Sequence, residues 1–187
     1  MNKLLAAVTA MASAVGLPAP ADAAGITYDC DTAANHYSEL VLPTAAGPFT
    51  VSGTVRLIAL AEVSKYTPLA RVWIASASEP GQSPASFAGI SVMALPADPQ
   101  KTPTRSPAIQ MVAFNVNGQD DDIVPLSMLA KPGGAQSFSL SFNSGAVVAS
   151  IGAERRTLRV SASEPVVRII CSTGEFLFTN LMIQSAR

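Results

Sequence analysis

Ser137-Phe138-Ser139-Leu140-Ser141-Phe142-Asn143 alternates without a break: Phe138, Leu140 and Phe142 fall on one side and the serines on the other. A period of two belongs to a pleated strand with one buried face, and it decides the fold class of this chain. Asn143-Ser144-Gly145 follows as a tight turn, and 146–151 returns as a mostly buried strand. A second turn over 152–156 leads into a short strand at 157–161, after which Glu164-Pro165 breaks the chain. Ser172-Thr173-Gly174, between strands at 166–171 and 175–183, has the length of a hairpin connection with glycine where a positive φ is easiest. The C-terminal part therefore reads as a meander of short strands.

The first half repeats the style with longer connections. Strands are expected at 26–30, 40–42, 49–60, 69–75, 90–95 and 108–116. Within 49–60, Phe49, Val51, Gly53, Val55 and Leu57 share one face, and an interior glycine suggests a bulge or the close approach of another backbone. Residues 96–107 carry four prolines together with Lys101 and Arg105 and read as an exposed loop. Asn117-Gly118 is a strong hairpin-turn signal, with a further short strand expected at 122–126. Many short strands punctuated by proline and glycine argue for two packed antiparallel sheets.

The N-terminus says where such a chain is expected to work. Lys3 gives a positive start, 4–17 is apolar, and Ala21-Asp22-Ala23 matches the small-x-small pattern of a signal-peptidase site. Pro18 and Pro20 stop the apolar run short of the ~20 residues that cross a bilayer. The expected organisation is a cleaved signal peptide over 1–23 and a β-sandwich domain over 24–187, delivered to the periplasm or the outside. No integral membrane segment is expected after cleavage. Only 13% of the 187 residues are charged and the formal net charge is -1. The mean hydropathy is +0.33. This balance carries no basic field for nucleic acid, and it is too apolar for disorder. The two cysteines, Cys30 and Cys171, allow one intramolecular pairing, which an oxidising compartment favours. Zinc wants three or four Cys or His ligands, and His36 is the single histidine, so no metal or other cofactor is expected.

The run Phe138-x-Leu140-x-Phe142-Asn143-Ser144-Gly145, followed by Val147-Val148-Ala149-Ser150-Ile151-Gly152, resembles the strand-turn-strand of concanavalin A-like or laminin-G-like jelly rolls. The ending Ser172-Thr173-Gly174-Glu175-Phe176-Leu177-Phe178-Thr179-Asn180-Leu181 is similar to their closing strand. The resemblance covers about a quarter of the chain and implies a jelly roll of the kind that often binds glycans on a concave face. It carries over no ligand site, because no binding motif matches residue by residue.

Catalytic patterns are sparse. A Gly-x-Ser-x-Gly elbow is absent, and His36 lies in the polar stretch Ala33-Ala34-Asn35-His36-Tyr37, where it reads as a surface histidine. The Glu-x-Asp-x-x-Glu strand of jelly-roll glucanases is missing, and Glu154, Glu164 and Glu175 sit at turn ends. The strand-borne Arg, Gln, His and Tyr signatures of the neighbouring lyase families are not visible either. Asp120-Asp121-Asp122 invites calcium with Asn115, Asp120 and Asp122 as ligands, against the plainer reading of solvated turn charges.

The best candidate surface is Arg71-Val72-Trp73-Ile74. In a strand Val72 and Ile74 enter the core while Arg71 and Trp73 share the opposite face. A flat indole beside a guanidinium suits an acidic sugar, by stacking and a paired hydrogen bond. The competing reading makes Trp73 a core residue. Arg56, Arg159 and Arg168 are also mid-strand and would extend a basic stripe if their strands are neighbours. The expectation is an all-β, two-sheet antiparallel jelly-roll-like sandwich with one disulfide. Its expected role is non-catalytic, in a bacterial envelope, with glycan or another envelope protein as partner and Arg71 and Trp73 as ligand-binding residues. The alternative is a structural subunit of an extracellular appendage or coat, and a polysaccharide hydrolase or lyase stands third.

Overall fold

The computed structural model describes residues 25–61, 66–78, 82–96, 108–117 and 134–186. The expected signal peptide, most of the 96–107 loop, the 122–126 strand and the Asp120-Asp121-Asp122 cluster lie outside those residues.

Among the described residues the chain forms β1 (Ile26–Asp31), β2 (Tyr37–Pro43), β3 (Phe49–Leu60), β4 (Leu69–Ser76), β5 (Phe87–Pro96) and β6 (Ala108–Val116). Then follow β7 (Gln136–Asn143), β8 (Ala146–Ile151), β9 (Glu154–Arg159), β10 (Pro165–Ser172) and β11 (Gly174–Ser185). They build two antiparallel sheets, ordered β1-β11-β3-β7-β8-β9 and β2-β10-β4-β5-β6. The alternating residues meet between them. Val51, Val55, Phe138, Leu140, Phe176 and Phe178 of the first sheet pack in one core cluster with Val72, Ile74, Ile90, Phe114, Val167 and Ile169 of the second. Each large side chain so buried contributes about 1.5–3 kcal/mol. No helix among the described residues is long and apolar enough to cross a membrane.

The Cys30–Cys171 bond forms, with Cα atoms 6.4 Å apart and the two cysteines separated by 141 positions along the chain. It joins β1 of one sheet to β10 of the other, so it clamps the layers face to face. The last two strands depart from the expected hairpin. β10 and β11 lie in different sheets, and the link between them arches across the end of the sandwich. Thr173, not Gly174, takes the positive φ, at 62°. Thr173 is fully buried, its N–H donates to the His36 carbonyl oxygen at 3.2 Å, and Thr32 Oγ1 donates to the Gly174 carbonyl oxygen at 2.8 Å. Alternation marks which side chains of a strand are buried but not which sheet the strand joins, because both inner faces are equally apolar. β9 also begins earlier than expected, since the turn before it needs only Gly152 and Ala153.

Two glycines allow close approaches. Gly53 faces an irregularity in β11 between Thr179 and Met182, and a Cβ there would lie 2.8 Å from Leu181 Cδ2. Gly89 stands opposite Trp73 on β5, and a Cβ there would lie 2.1 Å from the Val72 carbonyl oxygen.

Two stability outcomes are expected. Reducing the purified protein lowers its Tm by about 10 °C, from a loss of about 2–4 kcal/mol, and calorimetry with and without reductant reads this directly. Gly89→Ala forces β4 and β5 apart and costs about 1–3 kcal/mol in urea unfolding, whereas a neutral result would mean that the strands part freely there.

Candidate functional site

The outer face of the five-stranded sheet carries the chemistry, and cross-strand register arranges it in rows. Glu39, Ile170, Arg71, Ser91 and Ala113 form one row across β2, β10, β4, β5 and β6. On one side of it runs Tyr37, Ser172, Leu69, Met93 and Met111; on the other runs Val41, Arg168, Trp73, Gly89 and Asn115. Alternation in β4 sends Val72 and Ile74 into the core, as the sequence predicts, and leaves Arg71 and Trp73 on this outer side.

Over that face lies an open pocket of about 390 Å³, within the range of small-molecule sites. Its floor is Leu69, Arg71, Trp73, Ile170 and Ser172, with Tyr37 and Glu39 from β2. Tyr66 and the Gln82-Ser83-Pro84 stretch of the β4–β5 connection also line it. Tyr37 and Tyr66 are 63% and 59% exposed, so both rings stand in solvent at the pocket.

Trp73 is not the open stacking platform that the sequence suggests. Its ring is stacked on Phe87 with centroids 4.0 Å apart, and the residue is only 6% exposed. Together with Ala75 and Ile170 the pair makes a small apolar cluster on the outer face, separate from the main core. The absence of a side chain at Gly89 is what lets β5 lie so close behind it. The Arg71 guanidinium sits 4.8 Å from the Trp73 ring centroid, a cation–π contact that holds the arginine over the floor. Burial lowers the Arg71 pKa from its ordinary value. An arginine still keeps its proton at neutral pH.

Among the described residues, three polar atoms on this face are buried without a hydrogen-bond partner: Arg71 Nε, Trp73 Nε1 and Ser91 Oγ. Arg71 and Trp73 are alternate residues of one strand and Ser91 is the cross-strand partner of Arg71. A buried donor left without an acceptor costs about 1–3 kcal/mol, so the cluster is complementary to a group that brings acceptor oxygens.

Arg168 has the opposite character. It is 3% exposed and hydrogen-bonded on two nitrogens: Nε donates to Glu39 Oε1, while Nη1 donates to Ser78 Oγ at 2.7 Å and to the Gln82 carbonyl oxygen at 2.9 Å. Removing either partner of such a buried ion pair leaves an uncompensated charge, at a cost of about 3–5 kcal/mol.

Of the arginines that could have formed a stripe, only Arg168 joins Arg71. Arg56 and Arg159 are on β3 and β9, in the other sheet, because side-chain alternation does not reveal strand order. His36 is exposed beside Tyr37. Among the described residues no three His, Cys, Asp or Glu side chains group as a metal site, while Asp120 and Asp122 lie outside those residues. Tyr37, Glu39, Tyr66 and Gln82 are not legible as a site in the sequence, since they come from three separate segments and no local motif links them.

No protein-family model matches the chain, and no curated protein does. Solved structures do. A marine PL7 alginate lyase from Zobellia galactanivorans superposes with a TM-score of 0.51 at 10% identity, over 94% of this chain and 86% of the lyase. A lyase of polysaccharide lyase family 18 gives 0.51 at 8% identity, over 89% and 90% of the two chains. An alginate lyase from Alteromonas sp. 272 gives 0.50 at 10% identity, again over 89% and 90%. These similarities overturn the expectation of a non-catalytic envelope or appendage protein, which rested on missing local motifs: a site assembled across strands leaves no contiguous signature. The fold is the concanavalin A-like jelly roll that these polysaccharide lyases have.

Proposed function

We propose that the protein is a polysaccharide lyase acting on a uronate-containing glycan outside the cytosol. The observation that carries this reading is the buried, acceptor-less donor pair of Arg71 Nε and Trp73 Nε1 in a pocket flanked by two exposed tyrosines. A uronate carboxylate supplies the missing acceptors and the charge that Arg71 balances. Alginate, named for the similar folds, is the first substrate to try.

The chemistry is a β-elimination. A base takes the C5 proton beside the carboxylate, and that electron pair becomes the C4=C5 double bond. The C4–O bond breaks, and the departing oxygen takes a proton. Arg71 stabilises the negative charge that builds on the carboxylate as the C5 proton leaves. Tyr37 and Tyr66 carry the phenolic oxygens that accept and return protons at the pocket. Hydrolysis is less well supported, because a glycosidase needs two carboxyl groups about 5–9.5 Å apart. Among the described residues Glu39 is the one carboxylate lining the pocket, and Arg168 already holds it.

The test incubates the protein with alginate and other polyuronates and follows the ultraviolet absorbance of the unsaturated product. Wild type is expected to produce it, and Arg71→Ala to lower kcat/KM by about 10²–10³-fold. Running the reaction in heavy-oxygen water separates the chemistries, since elimination incorporates no water oxygen. Chain cleavage with labelled ends, or no cleavage of any polyuronate, would overturn the proposal.

A further inference from the structure

Arg168 is a second cation in the same pocket, yet its geometry suits a different task. Its guanidinium is buried, its Nε is taken by Glu39, and its Nη1 donates to Ser78 Oγ and to the Gln82 carbonyl oxygen. Ser78 Oγ in turn donates to the Gln82 carbonyl oxygen at 3.3 Å. One side chain of β10 thus gathers Ser78 and Gln82, two points of the β4–β5 connection, and ties both to the edge strand β2 through Glu39.

The base of that connection is anchored separately. Ser76 N–H donates to the Ser86 carbonyl oxygen at 2.9 Å, and Phe87 N–H donates to Asn117 Oδ1 at 2.9 Å. Beyond those anchors, Gln82, Ser83 and Pro84 line the pocket facing the sheet. Buried ion pairs seldom stabilise a fold more than apolar side chains of the same volume would, and the flanking outward residues of β10, Val166 and Ile170, are apolar. A charged pair here therefore needs a role other than stability.

We propose that Arg168 is a positioning residue that holds the Gln82-Ser83-Pro84 wall at a fixed distance from the pocket floor, with Glu39 as its counter-ion. Glu39 cancels its charge, so Arg71 alone attracts the acid group of the ligand. The wall-holding role stands on the hydrogen bonds, while its kinetic consequence rests on the lyase reading above. Lysine does not replace the arginine, because a single ammonium does not span Glu39 and the connection as a planar fork does.

The experiment has two arms. Hydrogen exchange is measured on the ligand-free protein for wild type, Arg168→Lys and Glu39→Gln. Exchange over 82–86 is expected to rise about tenfold in both variants while β7 and β8 keep their protection. Ser78→Ala removes one acceptor and leaves the ion pair intact, so it serves if the other two fail to fold, with a smaller rise expected over the same residues. Unchanged exchange over 82–86 in every variant that folds would overturn the proposal. The second arm uses a polyuronate that wild type cleaves, and Arg168→Lys is expected to raise KM about tenfold with kcat within about threefold. A fall in kcat at unchanged KM would instead overturn the positioning role and make Arg168 a reacting group. Faster exchange in a protein that cleaves no polyuronate would sustain the wall-holding role and remove the lyase reading, so the two failures are distinct.

Discussion

The arch between β10 and β11 sets the terms for everything else in this molecule. At Ser172-Thr173-Gly174 the chain leaves the five-stranded sheet and enters the six-stranded one, and Cys171 is bonded to Cys30 on the far layer directly beside that passage. A buried threonine at positive φ is a strained choice, and it persists because His36 and Thr32 hold the backbone on either side. The crossing seats β10 between β2 and β4. Without it, Arg168 and Ile170 would have no place on the pocket face, and Glu39 would have no partner.

The two faces of β4 divide labour by simple alternation. Val72 and Ile74 join the main core, and Arg71 and Trp73 face outward, where Phe87 and Ile170 give the indole a second, smaller apolar bed. That bed backs the pocket floor with apolar side chains. In such surroundings the unpartnered donors are electrostatically strong. A surface tryptophan would have offered a sugar ring a stacking face; the buried one offers a hydrogen bond and a support for Arg71.

The pocket also shows how the same residue type serves two ends. Arg71 has a cation–π contact and an unpartnered Nε, whereas Arg168 spends its donors on Glu39, Ser78 and Gln82. The difference follows from their neighbours across the ladder. Arg71 has Ser91 on one side and Ile170 on the other, while Arg168 lies next to Trp73 and within reach of a carboxylate and the β4–β5 connection. The proposed elimination needs one positive charge without a counter-ion and groups that move a proton, and neutralising the second arginine leaves the pocket with that single charge.

Alternation and turn chemistry carried most strand positions in the sequence. Phe49 to Leu60 and Ala108 to Val116 fall where the residue pattern places them, and two cysteines leave one intramolecular pairing to make. These features are local, or follow from counting, so one dimension holds them. Sheet membership, strand order and the site are not local. Whether 166–171 and 175–183 pair with each other or separate into two layers depends on which apolar face each can cover, and either choice buries the same residues. Only the assembled sandwich brings Tyr37, Glu39, Tyr66, Arg71, Gln82 and Arg168 to one pocket, because cross-strand neighbours are fixed by backbone hydrogen bonds between segments far apart in the chain.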